Sequence, residues 1–325
     1  MPVTNYELRI TNFKSAFRFF VILCVFVVSA RIYCAQDASP TAHITREEVD
    51  LLPYDGIFQT KIREISVERK RDALLKLRNY RSAAASRIAV PALKDSSEIV
   101  RATAAASVVF LPADEAARNL LPLLADKKPF VRREAAYALG VVRNASAINP
   151  LLQIAQKDKV AEVRNAAIVA LGEIGDAAAV GELIKLLQRK PQAKEEFTRR
   201  SAARAIGQIA QIIQTNKVKV LTPENFLPDK LKEIEKPNHP KLIDDFPMFR
   251  AAISVLTEVL QNRQDFPNVK REAAFALGAI GDESAIPVLQ ANLADADYYL
   301  AEICRESLRK IAVYAEYAKI NASSR

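Results

Sequence analysis

The sequence predicts an all-α solenoid built from stacked helix pairs, and three observations carry that expectation. The first is a ten-residue pattern, Val-Arg-x-x-Ala-Ala-x-Ala-Leu-Gly, which runs from Val131 to Gly140 and from Val163 to Gly172. It returns with substitutions from Thr198 to Gly207 and from Val269 to Gly278. The second is spacing: pattern starts at Val100, Val131, Val163, Thr198, Val269 and Leu300 lie 31, 32, 35, 71 and 31 residues apart. A period of that size marks units that bury their apolar faces only against neighbours. The third is composition: half the residues are hydrophobic, glycines number eight and tryptophan is absent. Abundant alanine, the best helix former, favours helices joined by short turns over sheets.

The elements follow in chain order. Residues 1–35 read as a signal peptide, in which Lys14 and Arg18 precede twelve uncharged residues, 19–30, and Arg31 closes the run. Twelve residues suit a signal core and fall short of the roughly 20 that a bilayer span needs. Small residues place cleavage after Ala30 or Ala35, with an uncleaved anchor as the alternative and the only membrane contact expected. Lipidation is not expected, because Leu23 and Tyr33 precede Cys24 and Cys34. Residues 36–61, with Pro40, Pro53 and Gly56, form a tether or N-terminal cap. Repeats fill 62–213, with a further second helix starting near Val67 and first helices over 113–124, 145–155 and 177–188. The spacing of 71 contains a proline-rich insertion, 214–247, in which 229–236 has the pattern of a short helix. Repeats resume over 248–325 with a first helix at 283–293, and a capping helix runs on through Tyr314 and Tyr317.

Charge and cysteine usage bound the function. The net charge is +9, and loss of residues 1–35, which hold four basic residues and one acid, leaves about +6. That excess is mild and interleaved with acids, so nucleic acid is not the expected partner. Cys304 is the one cysteine beyond the signal segment and falls on the apolar stripe of a helix, as a buried core thiol does. The chain is expected to be exported, to the periplasm or outside the cell, and monomeric.

Within each second helix, positions 0, 4, 8 and 11 share one stripe at about 100° per residue. Val131, Ala135, Leu139 and Val142 illustrate it. These repeats resemble the HEAT-like repeats of the phycobilisome-lyase type. The resemblance covers 62–318 and is sharpest at 126–188, through Ile174-Gly175-Asp176, and at 265–293, through Ile280-Gly281-Asp282 and Pro287. It is degenerate at both ends, where Val109 and Arg309 replace the glycine. The resemblance implies a right-handed α-solenoid with second helices on the concave side. It also implies a scaffold for other proteins, although some relatives attach bilins and others hydroxylate deoxyhypusine at histidine–glutamate iron sites.

Position 1 holds Arg101, Arg132, Arg164, Arg199 and Lys270, and an aspartate precedes most repeat starts: Asp95, Asp126, Asp158, Asp265 and Asp295. An arginine fork satisfies such a carboxylate or the loop carbonyls around it, which makes an internal ladder. Thr198 has no such aspartate before it, so a looser junction is expected there. Positions 2 and 6, at about 200° and 240°, point away from the stripe near 60°. Arg133, Tyr137, Arg200, Arg204, Arg271 and Phe275 stand there, an arginine–aromatic mixture suited to partner binding. Glu134, Glu272, Glu302 and Glu306 lie on the same surface and argue against a nucleic-acid grip.

Catalytic residues, metal ligands and cofactors are not expected. The two histidines, His43 and His239, are followed by Ile44 and Pro240 rather than glutamate. No phosphate loop or nucleophile elbow is present. The leading expectation is therefore an exported, non-enzymatic scaffold that binds a protein of unknown identity through its concave face. The alternatives are a lyase-like or enzyme-accessory protein and a binder of polyanions or the envelope surface.

Overall fold

Helix caps punctuate the chain at intervals the repeat dictates. The computed structural model describes residues 46–54, 57–58, 65–217, 234 and 236–323, and the signal segment, His43 and residues 218–233 lie outside them. The chain divides into two units, 1–50 and 51–325. Of the first, only residues 46–50 are described, within the short helix α1 (Arg46–Leu51). The described residues of the second unit form helices joined by turns, with no strand among them.

Its second helices are α2 (Val67–Tyr80), α4 (Glu98–Ser107), α6 (Pro129–Val142), α8 (Ala161–Ile174), α10 (Ala193–Thr215), α13 (Pro267–Ile280) and α15 (Tyr298–Ser323). Each packs on the next in that order. Between them lie the first helices: α3 (Ala83–Ala89), α5 (Ala113–Leu120), α7 (Ile148–Lys157), α9 (Val180–Leu187), α12 (Met248–Gln261) and α14 (Ile286–Ala291). Four of the expected first helices are shorter than the pattern suggested because one end is a tight 3-10 turn. Those turns are Leu121–Ala125, Ala145–Ala147, Ala177–Ala179 and Glu283–Ala285. Pro122 sits at the start of the first of these, where its missing N–H costs nothing.

The turns repeat because the same side-chain chemistry recurs. Each second helix α6, α8 and α13 ends on a left-handed residue, Arg143, Gly175 and Gly281. The following Asn144, Asp176 or Asp282 accepts a bond from the backbone N–H two residues on, at 2.9, 2.8 and 3.0 Å. At the other end of the pair, Asp95, Asp126 and Asp158 accept from Ser97, Lys128 and Val160 N–H in the same way. These self-bonded aspartate and asparagine turns fix the chain's direction between helices.

Glycine at position 9 decides how closely the layers stack. A Cβ added at Gly140, Gly172, Gly207 or Gly278 would lie 2.8, 3.0, 2.9 or 2.7 Å from a backbone Cα of the next second helix. The residues met are Ala170, Ala205, Ala276 and Ser307, each at position 7 of its own repeat. Small residues at 7 and 9 therefore let neighbouring helices cross almost backbone to backbone. Leu139, Leu171, Ile206 and Leu277 then fill the layer between first and second helices. Cys304 is buried as expected, and burial pushes its thiol up to about 12.

The arginine ladder exists, but its rungs join successive repeats instead of closing within one. Arg101 grips Asp126 through Nε and Nη2 at 2.8 and 2.9 Å, while its Nη1 donates to the Asp95 carbonyl. Arg132 grips Asp158 at 2.7 and 2.9 Å and donates to the Asp126 carbonyl. Lys70 and Asp95 make the first rung at 2.6 Å. The Arg101 bonds hold the Asp126 carboxyl below its ordinary range. No aspartate precedes Thr198 to close the rung before it, but the rung after it is made: Arg199 reaches across the insertion to Asp265 at 2.5 and 2.6 Å. Those side chains are only 4% and 1% exposed, the most buried rung.

The insertion departs from the turn after α10, which itself runs beyond residue 214 to Thr215. Of the expected short helix at 229–236, only residues 234 and 236 fall among those described. The returning strand of chain is stitched to the end of α10, with Asn238 N–H on the Gln214 carbonyl at 2.7 Å and His239 N–H on Gln214 Oε1 at 3.2 Å. A four-residue helix, α11 (Leu242–Asp245), then leads into α12.

Two contrasts check this account in thermal or chemical unfolding. Gly278→Ala should destabilise by roughly 1–3 kcal/mol through overpacking against the Ser307 backbone. Gly181→Ala, where an added Cβ meets nothing within 4 Å, should stabilise by about 0.4–1 kcal/mol. Asp265→Ala should cost about 3–5 kcal/mol by stranding the buried Arg199. Glu115→Ala, which breaks the exposed pair with Arg87, should cost no more than about 1 kcal/mol.

Candidate functional site

The concave candidates do not share one fate. Tyr137 is 39% exposed, as expected. Arg133 stacks at 5.0 Å over Phe130 and bonds Glu134 at 2.8 and 3.0 Å. Arg200 stacks at 4.8 Å over Phe197, itself 51% exposed. Arg204 lies 3.8 Å from Glu272. Two candidates are corrected. Arg271 serves as a ladder rung, gripping Asp297 at 2.8 Å through both Nε and Nη2. Phe275 is 5% exposed, with its ring against the Gly207 backbone and Lys310 over it at 5.5 Å. Gly207 has no side chain to hold that ring off, so the phenyl drops into the layer instead of facing solvent.

The helical face extends beyond the two positions that sequence reasoning weighed. At about 100° per residue, positions −1 and 10 fall near 260° and 280°, beside position 6 at 240°. Position −1 supplies Phe130, Phe197 and Tyr299, all exposed, and Arg271 stacks over Tyr299 at 5.0 Å. Position 10 supplies Glu173. The signal that would have found them was present in the same repeat alignment: residues of one face that alternate between acids, arginines and aromatics without a packing pattern.

Glu173 is the electrostatic centre of that face. Its carboxylate lies over Gly140, whose missing side chain makes the room: a Cβ there would come within 2.5 Å of Glu173 Oε2. Burial raises the Glu173 carboxyl above its ordinary value, and the charges of Arg143 and Arg204 offset only part of that rise. Burial likewise lowers Arg143, with Glu173 working against the shift. Arg143 at the C-cap of α6, Glu173 on α8, Arg204 on α10 and Glu272 on α13 alternate in sign across the array. Three of these charges are half-buried and Glu272 is 5% exposed, and charge placed this way clusters at functional sites because packing alone does not call for it.

A second concavity, of about 430 Å³, lies where the insertion returns. Lys241, Ile243, Asp244, Asp282, Glu283 and Lys319 line it. Beside it His239 Nδ1 is 2.6 Å from Asp245 Oδ2, with the imidazole edge-on to Phe246.

A HEAT repeats family model matches residues 86–172, 148–222 and 243–309. Deoxyhypusine hydroxylase of Gallus gallus is 40% identical over 75 residues, which is 23% of this chain and 25% of that protein. The Homo sapiens enzyme is 38% identical over 60 residues, 18% of this chain and 20% of that protein. The chain thus spans about a quarter or less of the curated relatives it matches. Among solved structures, the complex of CpcE and CpcF of phycocyanin lyase from Nostoc has 20% identity and a TM-score of 0.42, covering 87% of this chain and 96% of that one.

These relatives correct the expectation of a non-enzymatic scaffold, since the curated proteins that share the repeats are enzymes. The histidine–glutamate iron site implied by the hydroxylase resemblance does not fit this chain. Glu134 and Glu272 each follow an arginine, which is no metal donor, and neither histidine adjoins a glutamate. Among the described residues no group of three or more histidine, cysteine or acidic side chains is placed to hold a metal ion. The matched segments span well over half of the sequence and coincide with the observed helix pairs, so the chain belongs to the HEAT-repeat proteins.

Proposed function

We propose that this chain is an enzyme-accessory HEAT-repeat protein, which holds an enzyme or its protein substrate against the second-helix face. The row Arg143–Glu173–Arg204–Glu272, with Tyr137 exposed beside it, carries the reading. It offers charges of both signs and an aromatic anchor, a combination that selects a protein surface of matching pattern. The partial sequence likeness to an enzyme supports a role tied to catalysis. A carboxyl held above its ordinary value by burial costs the fold stability once ionised, and such a cost is retained where function uses the group.

The sign of that cost is testable. Because the folded-state value of Glu173 is raised, its contribution is intact below the ordinary carboxylate range and is lost as pH rises through the raised value. Glu173→Gln mimics the protonated form, so it should unfold at higher denaturant than the parent at pH 7 and match it near pH 4. Equal stability of the two proteins at pH 7 would remove the electrostatic argument.

Partner capture checks the function. The full chain, used as bait in extracts of its native host, should retain an enzyme or that enzyme's protein substrate. Arg204→Glu combined with Tyr137→Ala should weaken retention by about 30-fold or more, the loss of an interface hot spot of roughly 2 kcal/mol. Undiminished capture by the double variant, or a captured protein with no catalytic connection, overturns the proposal.

A further inference from the structure

Among the described residues, the arginine ladder has one rung that the chain itself does not close. Arg164 stands at position 1 like Arg101 and Arg132, and its Nη1 donates to the Asp158 and Lys159 carbonyls at 2.9 and 3.4 Å. Arg101 makes the same pair of bonds to Asp95 and Ser96. In Arg101 and Arg132 this anchoring turns the Nε–Nη2 edge toward the next repeat, where an aspartate waits. At Arg164 no such aspartate follows. The first helix α9 is capped by Gln188 where earlier pairs have Asp95, Asp126 and Asp158. The next residue, Arg189, is turned away to Glu195 at 3.1 Å. Glu196, the other nearby acid, accepts from Asn268. Arg164 Nε is thus a buried donor with no hydrogen-bond partner among the described residues.

A buried guanidinium N–H without a partner has lost its water and gained nothing in return, so the position is held against a penalty. The planar edge also has a defined complement. Nε and Nη2 present two parallel donors, which match the two oxygens of a carboxylate and no spherical anion. Three other rungs of this molecule, at Arg101, Arg132 and Arg271, show that complement in place, while Arg199 meets Asp265 through Nη1 and Nη2 and turns its Nε to the Leu187 carbonyl. We infer that Arg164 is a receptor for a carboxylate supplied from outside the array, such as an acidic side chain of a bound protein or a small carboxylic acid. Arg164 is half-buried, and Gln188, at the position where earlier rungs have their aspartate, is exposed with residues 190–192 after it, so an incoming group has an approach from solvent. The inference is independent of the proposed accessory role, since it rests on the ladder and not on the Glu173 row.

Side-chain NMR of the full chain, labelled with 15N-arginine, reads the site directly. The Nε–Hε signals of Arg101, Arg132 and Arg164 are assigned through single lysine substitutions, with Arg164→Lys checked for an unchanged melting temperature. Titration with acetate should move the Arg164 signal downfield and saturate, while Arg101 and Arg132 stay fixed. A hexaglutamate peptide should produce the same shift at about tenfold lower concentration, because one tethered carboxylate brings others beside Lys190. Saturation with acetate and no gain for the peptide assigns the slot to a small acid. No saturable shift overturns the inference. An equal shift with sodium chloride or sulfate at matched ionic strength also overturns it, as an adventitious ion only.

Discussion

The crossing of neighbouring second helices at glycine is the constraint from which the rest of this architecture follows. With Gly at position 9 against Ala or Ser at position 7 of the next repeat, the backbones approach so closely that a single methyl would collide. Such an approach fixes both the distance and the register between layers, because only that pairing of small residues fits. Leucine and isoleucine at position 8 are then directed into the layer beneath. The arginine ladder runs along the edge where second helices begin, and ties each loop to the next. Crossing and ladder together hold a stack whose units could not bury their apolar faces singly.

The same two devices explain how the chain accommodates its long insertion. Residues 199 and 265 are far apart in sequence, yet their ion pair is the most buried of the ladder. Gly207 meets Ala276 across the same junction. The solenoid therefore continues in register from α10 to α13 as though the intervening chain were an ordinary turn. Loop closure grows costly only slowly with length, so an excursion at a turn costs little if its ends are pinned. Here they are pinned by Gln214, whose carbonyl and side chain both receive bonds from residues 238 and 239.

How much of this was legible in the sequence follows from what each residue's position depends on. Helix pairs, repeat starts and the buried stripe depend on periodicity, and Val131, Ala135 and Leu139 are buried as the pattern required. The ladder was legible in its residues but not in its connectivity, because the reach of an arginine to its own loop or to the next depends on stacking distance. Arg271 shows the difficulty most clearly. Lys270 occupies position 1, and the register of Asp297 lets the neighbouring arginine take the rung. Phe275 was misplaced for a related reason: the angle put it on the open face, but Gly207 in the adjoining helix leaves a hollow that the ring enters. Glu173 went unnoticed because its importance comes from burial and from two guanidinia on other helices, neither of which a single-helix projection contains.

The departures from the repeat are therefore more informative than the repeat. Where position 10 could carry any soluble residue, the array places a carboxylate over a glycine and between two arginines. Where position 1 has an aspartate to grip, the arginine is structural; where Gln188 stands instead, the same fork keeps its orientation without its complement. Neither departure helps the stack, since one buries charge and the other leaves a donor unsatisfied. A solenoid tolerates such defects because each layer depends only on its neighbours, so one strained layer does not unravel the others. Sequence likeness to hydroxylases without their histidine–glutamate donors fits the same logic: the scaffold is shared, and the chemistry is determined by the few side chains that stacking leaves free.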